Sequence, residues 1–239
     1  MAAPEGRGRV ATGGVMHVLV LTAIDVEARG LARHLGLARV ERTEWPHYRA
    51  GALEITCVGL RAARLEERVD EWARPGVVVS AGACGALAPK LATGDLVVPE
   101  TVIAPDGHRH AIDALPGLGR SGTLLTVADV VESAAAKSRL WMETAALAVD
   151  MESAVIVAWA RSRGLRAAVV RGVSDTATDA VPADLAGLVD VGGRVSAGRA
   201  VRAALARPAA LADAMNLGRG TAAALKSVAA ALARVARQA

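Results

Sequence analysis

Apolar positions along this chain recur with two alternating periods. Val15–Thr22 (VMHVLVLT) is a near-continuous apolar run rich in Val, the pattern of a strand buried on both faces. Asp25–Leu35 follows with Val26, Leu31 and Leu35 near helical spacing, and Gly36 closes it. Tyr48–Gly51 and Leu53–Leu60 read as a hairpin, and Arg61–Ala73 as a helix that Pro75-Gly76 breaks. Val77–Ala81 predicts a second central strand, Gly82–Gly85 a tight small-residue loop, and Gly94–Ile103 a further strand. Leu124–Val127 reads as a short strand, Asp129–Leu140 as a helix and Ala167–Ser174 as the last strong strand. Between them Leu147–Met151 leads into a helix over Glu152–Ser162. Strands alternating with helices predict an α/β fold with a mostly parallel, mixed central sheet covered on both faces, and no internal repeat is visible.

The two ends differ in composition from this body. Residues 1–14 are Gly, Arg and Ala without the apolar run of about 7–15 residues that a signal peptide needs, and read as a disordered leader. The body, 15–182, reads as one α/β domain, and 183–239 as a basic helical extension packed on it. In that extension Val201, Leu205, Leu211, Met215, Leu217, Leu225, Val228, Leu232 and Val235 fall at amphipathic spacing, with Pro208 and Gly218/Gly220 as expected breaks. The longest apolar runs elsewhere, such as Val77–Ala83, have the length of a strand and fall far short of the ~20 residues that cross a bilayer.

Composition narrows the function classes. Apolar residues make up 53% of the 239, ample for a core, yet aromatics are 2% with no Phe, which excludes RNA and single-strand readers built on stacked rings. Two cysteines, Cys57 and Cys84, supply neither a disulfide framework nor a Cys-based zinc site, and fit a reducing cytoplasm. The isoelectric point of 9.7 suggests nucleic acid until the charge is located. Eight basic residues from Arg194 onward face Asp213 alone, so the tail is +7 and the rest of the chain −3. The acidic body does not support a nucleic-acid footprint across it; a cationic amphipathic tail instead suits contact with anionic lipid.

Familiar cofactor motifs are missing. The turn after the first strand reads Thr22-Ala23-Ile24-Asp25-Val26-Glu27, with no glycine for a pyrophosphate to approach. There is no phosphate-binding P-loop and no G-x-S-x-G elbow. His108 and His110 lie in a Gly/Pro loop without a helical partner, so neither a metal nor a cofactor is expected. What remains is carboxylates behind strands: Glu27 after the first, Asp150 and Glu152 around Met151, and Asp175 at the end of VVRGVSD. In an open α/β sheet the crevice at the strand carboxyl ends is where ligands bind.

The segments SAGACGALAPKLATGDLVV (80–98), AVDMESAVIVAWA (148–160) and VVRGVSDTA (169–177), in this order, resemble the purine nucleoside phosphorylase and nucleosidase superfamily. VLVLTAIDVEA (18–28) is similar to the first strand-turn of its methylthioadenosine/S-adenosylhomocysteine nucleosidase branch. VDMES together with the tail ARPAALADAMNL (206–217) resembles the hopanoid-associated phosphorylases, which implies removal of adenine from adenosylhopane. The resemblance implies a cytoplasmic, cofactor-free homo-oligomer acting on a small adenosyl nucleoside, with lipid linkage bringing it to the inner face of the membrane.

The same resemblance implies roles. Asp175 protonates the purine at N7, which requires a raised carboxyl pKa. Glu152 accepts from the ribose hydroxyls and opposes the positive charge that develops on the sugar, while Met151 packs beneath it. Gly82 and Ala83 line the nucleophile site, and Val131 falls where nucleosidases stack an aromatic on the base. Arg171, four residues before Asp175, is expected on the same strand face, paired with a buried carboxylate. Glu27 stands where phosphorylases carry an arginine for phosphate and nucleosidases a glutamate that activates water. A carboxylate there repels a phosphate dianion by a few kcal/mol, which favours hydrolysis. Cys84 has no basic neighbour in sequence to make it a nucleophile. The competing readings are a soluble methylthioadenosine, S-adenosylhomocysteine or futalosine nucleosidase, and a non-catalytic nucleoside-binding module.

Overall fold

β1 (Val18–Thr22) and β5 (Val77–Ala86) run parallel at the centre of the sheet, where every side chain of β1 is buried. The computed structural model describes residues 16–69, 74–181, 187–196 and 209–238, so the expected leader, Pro208 and the tail residues Arg199, Arg202 and Arg207 lie outside it. Its strands form one mixed sheet. On one flank of β1 lie β4 (Leu53–Cys57), β3 (His47–Ala50) and β2 (Ala38–Arg39). Beyond β5 come β10 (Ala148–Asp150), β9 (Thr123–Thr126), β7 (Thr101–Ile103) and β8 (Arg109–Ala111). β11 (Ala167–Asp175) runs parallel to β5 and holds β6 (Leu96–Val97) on its other edge. The Val-rich runs that predicted buried strands form these inner strands, and β2 and β8 are short edge strands that the pattern missed.

The segment expected as a loop at Gly82–Gly85 is instead the second half of β5. β5 pairs with β1 up to Ser80 and with β10 only from Gly85, while β11 accompanies it along the other side. Between Ser80 and Gly85 one edge therefore has no strand partner among the described residues. The strand expected over Gly94–Ile103 divides into β6 and β7 around Pro99, which has no N–H for a ladder. The helix expected over Arg61–Ala73 contracts to a 3-10 turn at Leu60–Ala62 and a single turn, α2 (Leu65–Arg68), with residues 70–73 outside the description. Arg61 and Ala62 both take positive φ there, which ends any continuous helix.

Among the described residues four longer helices cover the sheet. α1 (Asp25–Leu35) ends at Gly36 in the left-handed conformation, as its pattern predicts. α3 (Ala134–Thr144) starts later than expected because Ser133 caps it, accepting the Ala136 N–H at 3.2 Å. α4 (Ser153–Ser162) follows β10. α5 (Ala209–Gln238) is one helix straight through Gly218 and Gly220. A Cβ on Gly220 would fall 1.9 Å from the Ser174 carbonyl oxygen, and one on Gly172 2.4 Å from that of Ala224. These glycines let α5 and β11 touch backbone to backbone; they are packing notches, not breaks. Arg171 reaches Ser153 at the start of α4 while the next residue, Gly172, meets α5, so the two helices cover opposite faces.

Leu225, Val228, Leu232 and Val235 of α5 belong to the same core as β1 and β5. The apolar stripe that the amphipathic pattern offered to a membrane is thus occupied inside the protein. Arg219, Lys226, Arg234 and Arg237 face outward. Among the described residues no helix is long and apolar enough to cross a membrane.

Candidate active site

Glu27 sits in the first turn of α1 and folds back over the helix start. Its Oε2 accepts the N–H groups of Ala23 (3.1 Å) and Ile24 (3.3 Å), closing the helix N-terminus. Its Oε1 accepts the Ala83 N–H at 2.8 Å, on the edge of β5 that no described strand pairs. Gly82 makes room for this: a Cβ there would lie 2.5 Å from Glu27 Oε1 and 2.8 Å from Arg171 Nη1. Burial raises the Glu27 carboxyl above the usual range, opposed by Arg171 and by the three N–H groups. A carboxylate offers about four acceptor sites, and three N–H groups leave one open.

A second cluster is built around Arg171, which is 1% exposed. Its Nη2 lies 2.6 Å from Asp150 Oδ2 and 3.8 Å from Glu152 Oε2, and donates to Ser80 Oγ at 2.9 Å. Nε donates to Ser153 Oγ (3.3 Å) and Nη1 to the Ala83 carbonyl (3.3 Å). Asp150 is held further by Thr126 Oγ1 (2.7 Å) and by the Ser153 N–H (3.0 Å). Both oxygens of Asp150 are thus engaged by protein donors, and its side chain is 1% exposed at the crevice wall. Glu152 is less tied: Oε1 accepts the Arg61 N–H at 3.0 Å, and Oε2 has only the distant guanidinium. Burial first of all, with Asp150 and Glu27 adding to it, pushes the Glu152 carboxyl up to about 7 against the pull of Arg171.

Asp175 ends β11 beyond a bulge between Val173 and Asp175, so simple alternation does not carry the face of Arg171 through to it. The two reach different elements: Arg171 meets the start of α4, and Asp175 meets Lys137 on α3. Asp175 Oδ1 is 2.6 Å from Ser174 Oγ, and Oδ2 is bound by the Lys137 ammonium. Lys137 went unnoticed in the sequence. It lies 38 residues from its partner on an Ala-rich helix, and the only signal is its place one turn after the capping Ser133.

These groups share one crevice of about 230 Å³, lined by Glu27, Ala83, Cys84, Gly85, Met151, Glu152 and Asp175. Val131 lines it beside Val130, and Lys137 closes its α3 side. Gly82 and Arg171 lie behind the wall, against Glu27 and Asp150. The Cys84 thiol is pushed up by burial, which leaves it unreactive. A groove of about 580 Å³ continues from Met151 past Ile24, Leu60, Val181, Val191 and Leu217. Arg61 spans its mouth, with Nη2 2.9 Å from Asp129 Oδ1. His108 and His110 stack edge-on at the outer strand β8, well away from this crevice in the sheet order. Among the described residues no three His, Cys, Asp or Glu side chains converge as metal ligands.

The sequence profile of the phosphorylase superfamily matches residues 58–117 and 109–215, which span β5, β10 and β11 and with them most of the crevice. The chain belongs to the phosphorylase superfamily. No curated protein matches the sequence. The fold of this superfamily member is similar to that of Arabidopsis thaliana 5′-methylthioadenosine nucleosidase, with a TM-score of 0.64 at 18% identity over 94% of this chain and 97% of the other. The 5′-methylthioadenosine/S-adenosylhomocysteine nucleosidase of Neisseria meningitidis, solved with methylthio-immucillin-A, gives 0.65 at 15% over 94% and 100%. Futalosine hydrolase of Helicobacter pylori gives 0.64 at 14% over 94% and 99%. These structures share the mixed α/β sheet and its surrounding helices with this member of the superfamily.

Proposed function

We propose that this protein is a nucleosidase that cleaves the N-glycosidic bond of an adenosyl nucleoside with water, and that adenosylhopane is its substrate. The observation that carries hydrolysis is the seat of Glu27. Backbone N–H groups at a helix start and an open strand edge make a natural anion cradle. Here Glu27 already fills it, to the exclusion of phosphate, and keeps one acceptor site for a water proton. In the reaction the C1′–N9 electron pair passes to the purine, N7 takes a proton at Asp175, water oxygen bonds C1′, and the water proton goes to Glu27. Glu152 accepts from the ribose hydroxyls and opposes the charge that develops on the sugar, with Met151 beneath. Val130 and Val131 flank the base in place of an aromatic ring.

The groove beyond Met151 supports an apolar 5′ substituent, since Ile24, Leu60, Val181, Val191 and Leu217 line it. With the apolar stripe of α5 buried, lipid contact rests on the outward Arg219, Lys226, Arg234 and Arg237 and on exposed Met215. This reading makes the enzyme a cytoplasmic homo-oligomer working at the inner face of the membrane.

The test is adenine release from adenosylhopane in detergent micelles, with and without phosphate, beside methylthioadenosine. Release of adenine and free ribosylhopane without phosphate is the expected result. Strict phosphate dependence overturns the role of Glu27. Cleavage of methylthioadenosine alone transfers the function to the soluble nucleosidase reading, which the solved neighbours favour, and no release at all leaves a nucleoside-binding module.

A further inference from the structure

The crevice holds a buried cation that the reaction as described does not use. Lys137 is 1% exposed, and its Nζ donates to three oxygens: Oδ2 of Asp175, the Thr176 carbonyl (2.7 Å) and the Asp179 carbonyl (3.0 Å). An ammonium has three N–H donors and a neutral amine two, so three acceptors fit the charged form without remainder. On its far side Asp175 meets a hydroxyl with one proton and two acceptors, because Ser174 Oγ lies 2.6 Å from Asp175 Oδ1 and 3.1 Å from the Cys84 carbonyl. Cys84 carbonyl, Ser174, Asp175 and Lys137 therefore form one chain along which a proton has more than one seat.

The surroundings leave this pair with the only cation on its side of the crevice among the lining residues described. Glu27, Asp150 and Glu152 line the other side, where Arg171 answers them. Asp179, from the loop after β11, spends its carboxylate on the N–H and hydroxyl of Thr176. Cys84 faces from β5 as a neutral thiol, and Arg219 of α5 lines the adjoining space with Asp175 and Asp179. Arg139 and Glu143, on the same helix as Lys137, point to the outside.

We propose that Lys137 supplies, through Asp175, the proton that the departing base takes, so that the acid of this site is the ammonium–carboxylate pair. The inference rests on the nucleosidase reading. As C1′–N9 breaks and its electron pair passes to the purine, a proton moves from Nζ to Asp175 and a proton from Asp175 to N7. Adenine leaves neutral, Asp175 ends as it began, and Lys137 is left a neutral amine. The proton that water gives to Glu27 balances the one taken from Lys137, and both groups reset through solvent once adenine departs. Lys137 is thus a positioning and proton-holding residue that acts through Asp175.

The experiment measures adenine release from methylthioadenosine and from adenosylhopane in micelles, from pH 5 to 9.5, for wild type, Lys137→Met, Asp175→Asn and the double variant. Lys137→Met is expected to lower kcat on the order of 10²-fold with KM within about threefold. Its alkaline limb should move to lower pH by more than about one unit, because the remaining acid is a lone carboxyl. In the Asp175→Asn background the same change should cost less than about threefold, since both act on one step. A Lys137→Met variant with wild-type kcat and limb, or with an undiminished cost in the Asp175→Asn background, overturns the proposal. If Lys137→Met does not fold, the wild-type profile decides: activity held above pH 8 supports the pair, and loss with a single limb near the ordinary carboxylate range overturns it. A wild type that releases no adenine overturns the nucleosidase reading and this inference together, whereas an active wild type with an indifferent Lys137 overturns only the latter.

Discussion

The carboxylate of Glu27 accepts the backbone N–H of Ala83 at 2.8 Å, joining the start of α1 to the stretch of β5 edge that no described strand covers. A side chain from the first strand-turn thereby reaches residues 56 positions later, and Gly82 is small enough to let it. Glu27→Gln keeps an oxygen for the Ala23 and Ile24 N–H groups but, on the hydrolytic role proposed above, presents an amide where the water proton goes. It is expected to lower kcat by about 10²–10⁴-fold, with KM for the nucleoside little changed. Steady-state adenine release decides, and a variant within about fivefold of wild type would falsify the assignment of the base.

Two neighbouring glycines of α5 should respond in opposite directions to the same substitution. Nothing lies within 4 Å of a Cβ placed on Gly218, so Gly218→Ala is expected to raise stability by about 0.5–1 kcal/mol through helix propensity. Gly220→Ala drives a methyl into the Ser174 carbonyl, and should cost about 1–3 kcal/mol or more. Urea titrations of both variants give the sign directly. Ser174 adjoins Asp175, so Gly220→Ala should depress turnover as well.

Glu152 carries a pH signature. Its carboxyl is raised to about 7 in the fold, so folding disfavours the charged form. The penalty is absent below the unfolded carboxylate range, near pH 4, grows as pH rises towards 7, and is constant above. Glu152→Gln removes it, so the variant should melt above wild type at pH 8 and close to it at pH 4. On the proposed role of Glu152, nucleoside affinity should move the other way, because a carboxylate can accept both ribose hydroxyls and a carboxylic acid cannot do so as well. Binding of a non-cleavable nucleoside analogue, followed by calorimetry, should tighten about tenfold between pH 6 and pH 8.

Glu54 gives the contrasting case at the flank of the sheet. Its Oε1 is 2.8 Å from His47 Nε2 and its Oε2 3.2 Å from His17 Nε2, with Arg49 at 3.9 Å. The hydrogen bond from His47, more than its charge, holds the carboxyl below the usual range. Stability from a depressed carboxyl is present above the unfolded value and lost as pH falls through the folded one. Glu54→Gln should therefore lower the melting temperature at pH 7, with the gap to wild type closing by about pH 3.5. A gap that stays the same at both pH values would count against this pairing.

How far the chain could be read before folding depended on the range over which each residue's partner lies. β1, β5 and β11 announce themselves because a strand buried on both faces must be Val-rich over its own length. Glu27 and Asp175, behind β1 and β11, were legible for the same reason, since strand ends are local. Lys137 was not, because its meaning comes only from Asp175 across the crevice, and Asp150 was left without a role until Arg171, Thr126 and Ser153 closed around it. Gly82–Gly85 and Gly218/Gly220 were misread in a common way. A glycine is a break when the chain must turn and a notch when another backbone must come near, and one sequence does not say which.

The notches of β11 also set an order of events in the cell. The chain is made from its N-terminus, so every strand of the sheet leaves the ribosome before α5 does. Until that helix arrives, Gly172 and the carbonyl of Ser174 have no cover, and the core lacks Leu225, Val228, Leu232 and Val235. The strand that bears Arg171 and Asp175, the last of the sheet to be made, therefore still waits for its cover after it has left the ribosome. A nascent chain halted before residue 209 would expose a sticky, half-covered sheet to chaperones, and would stay inert until synthesis resumed.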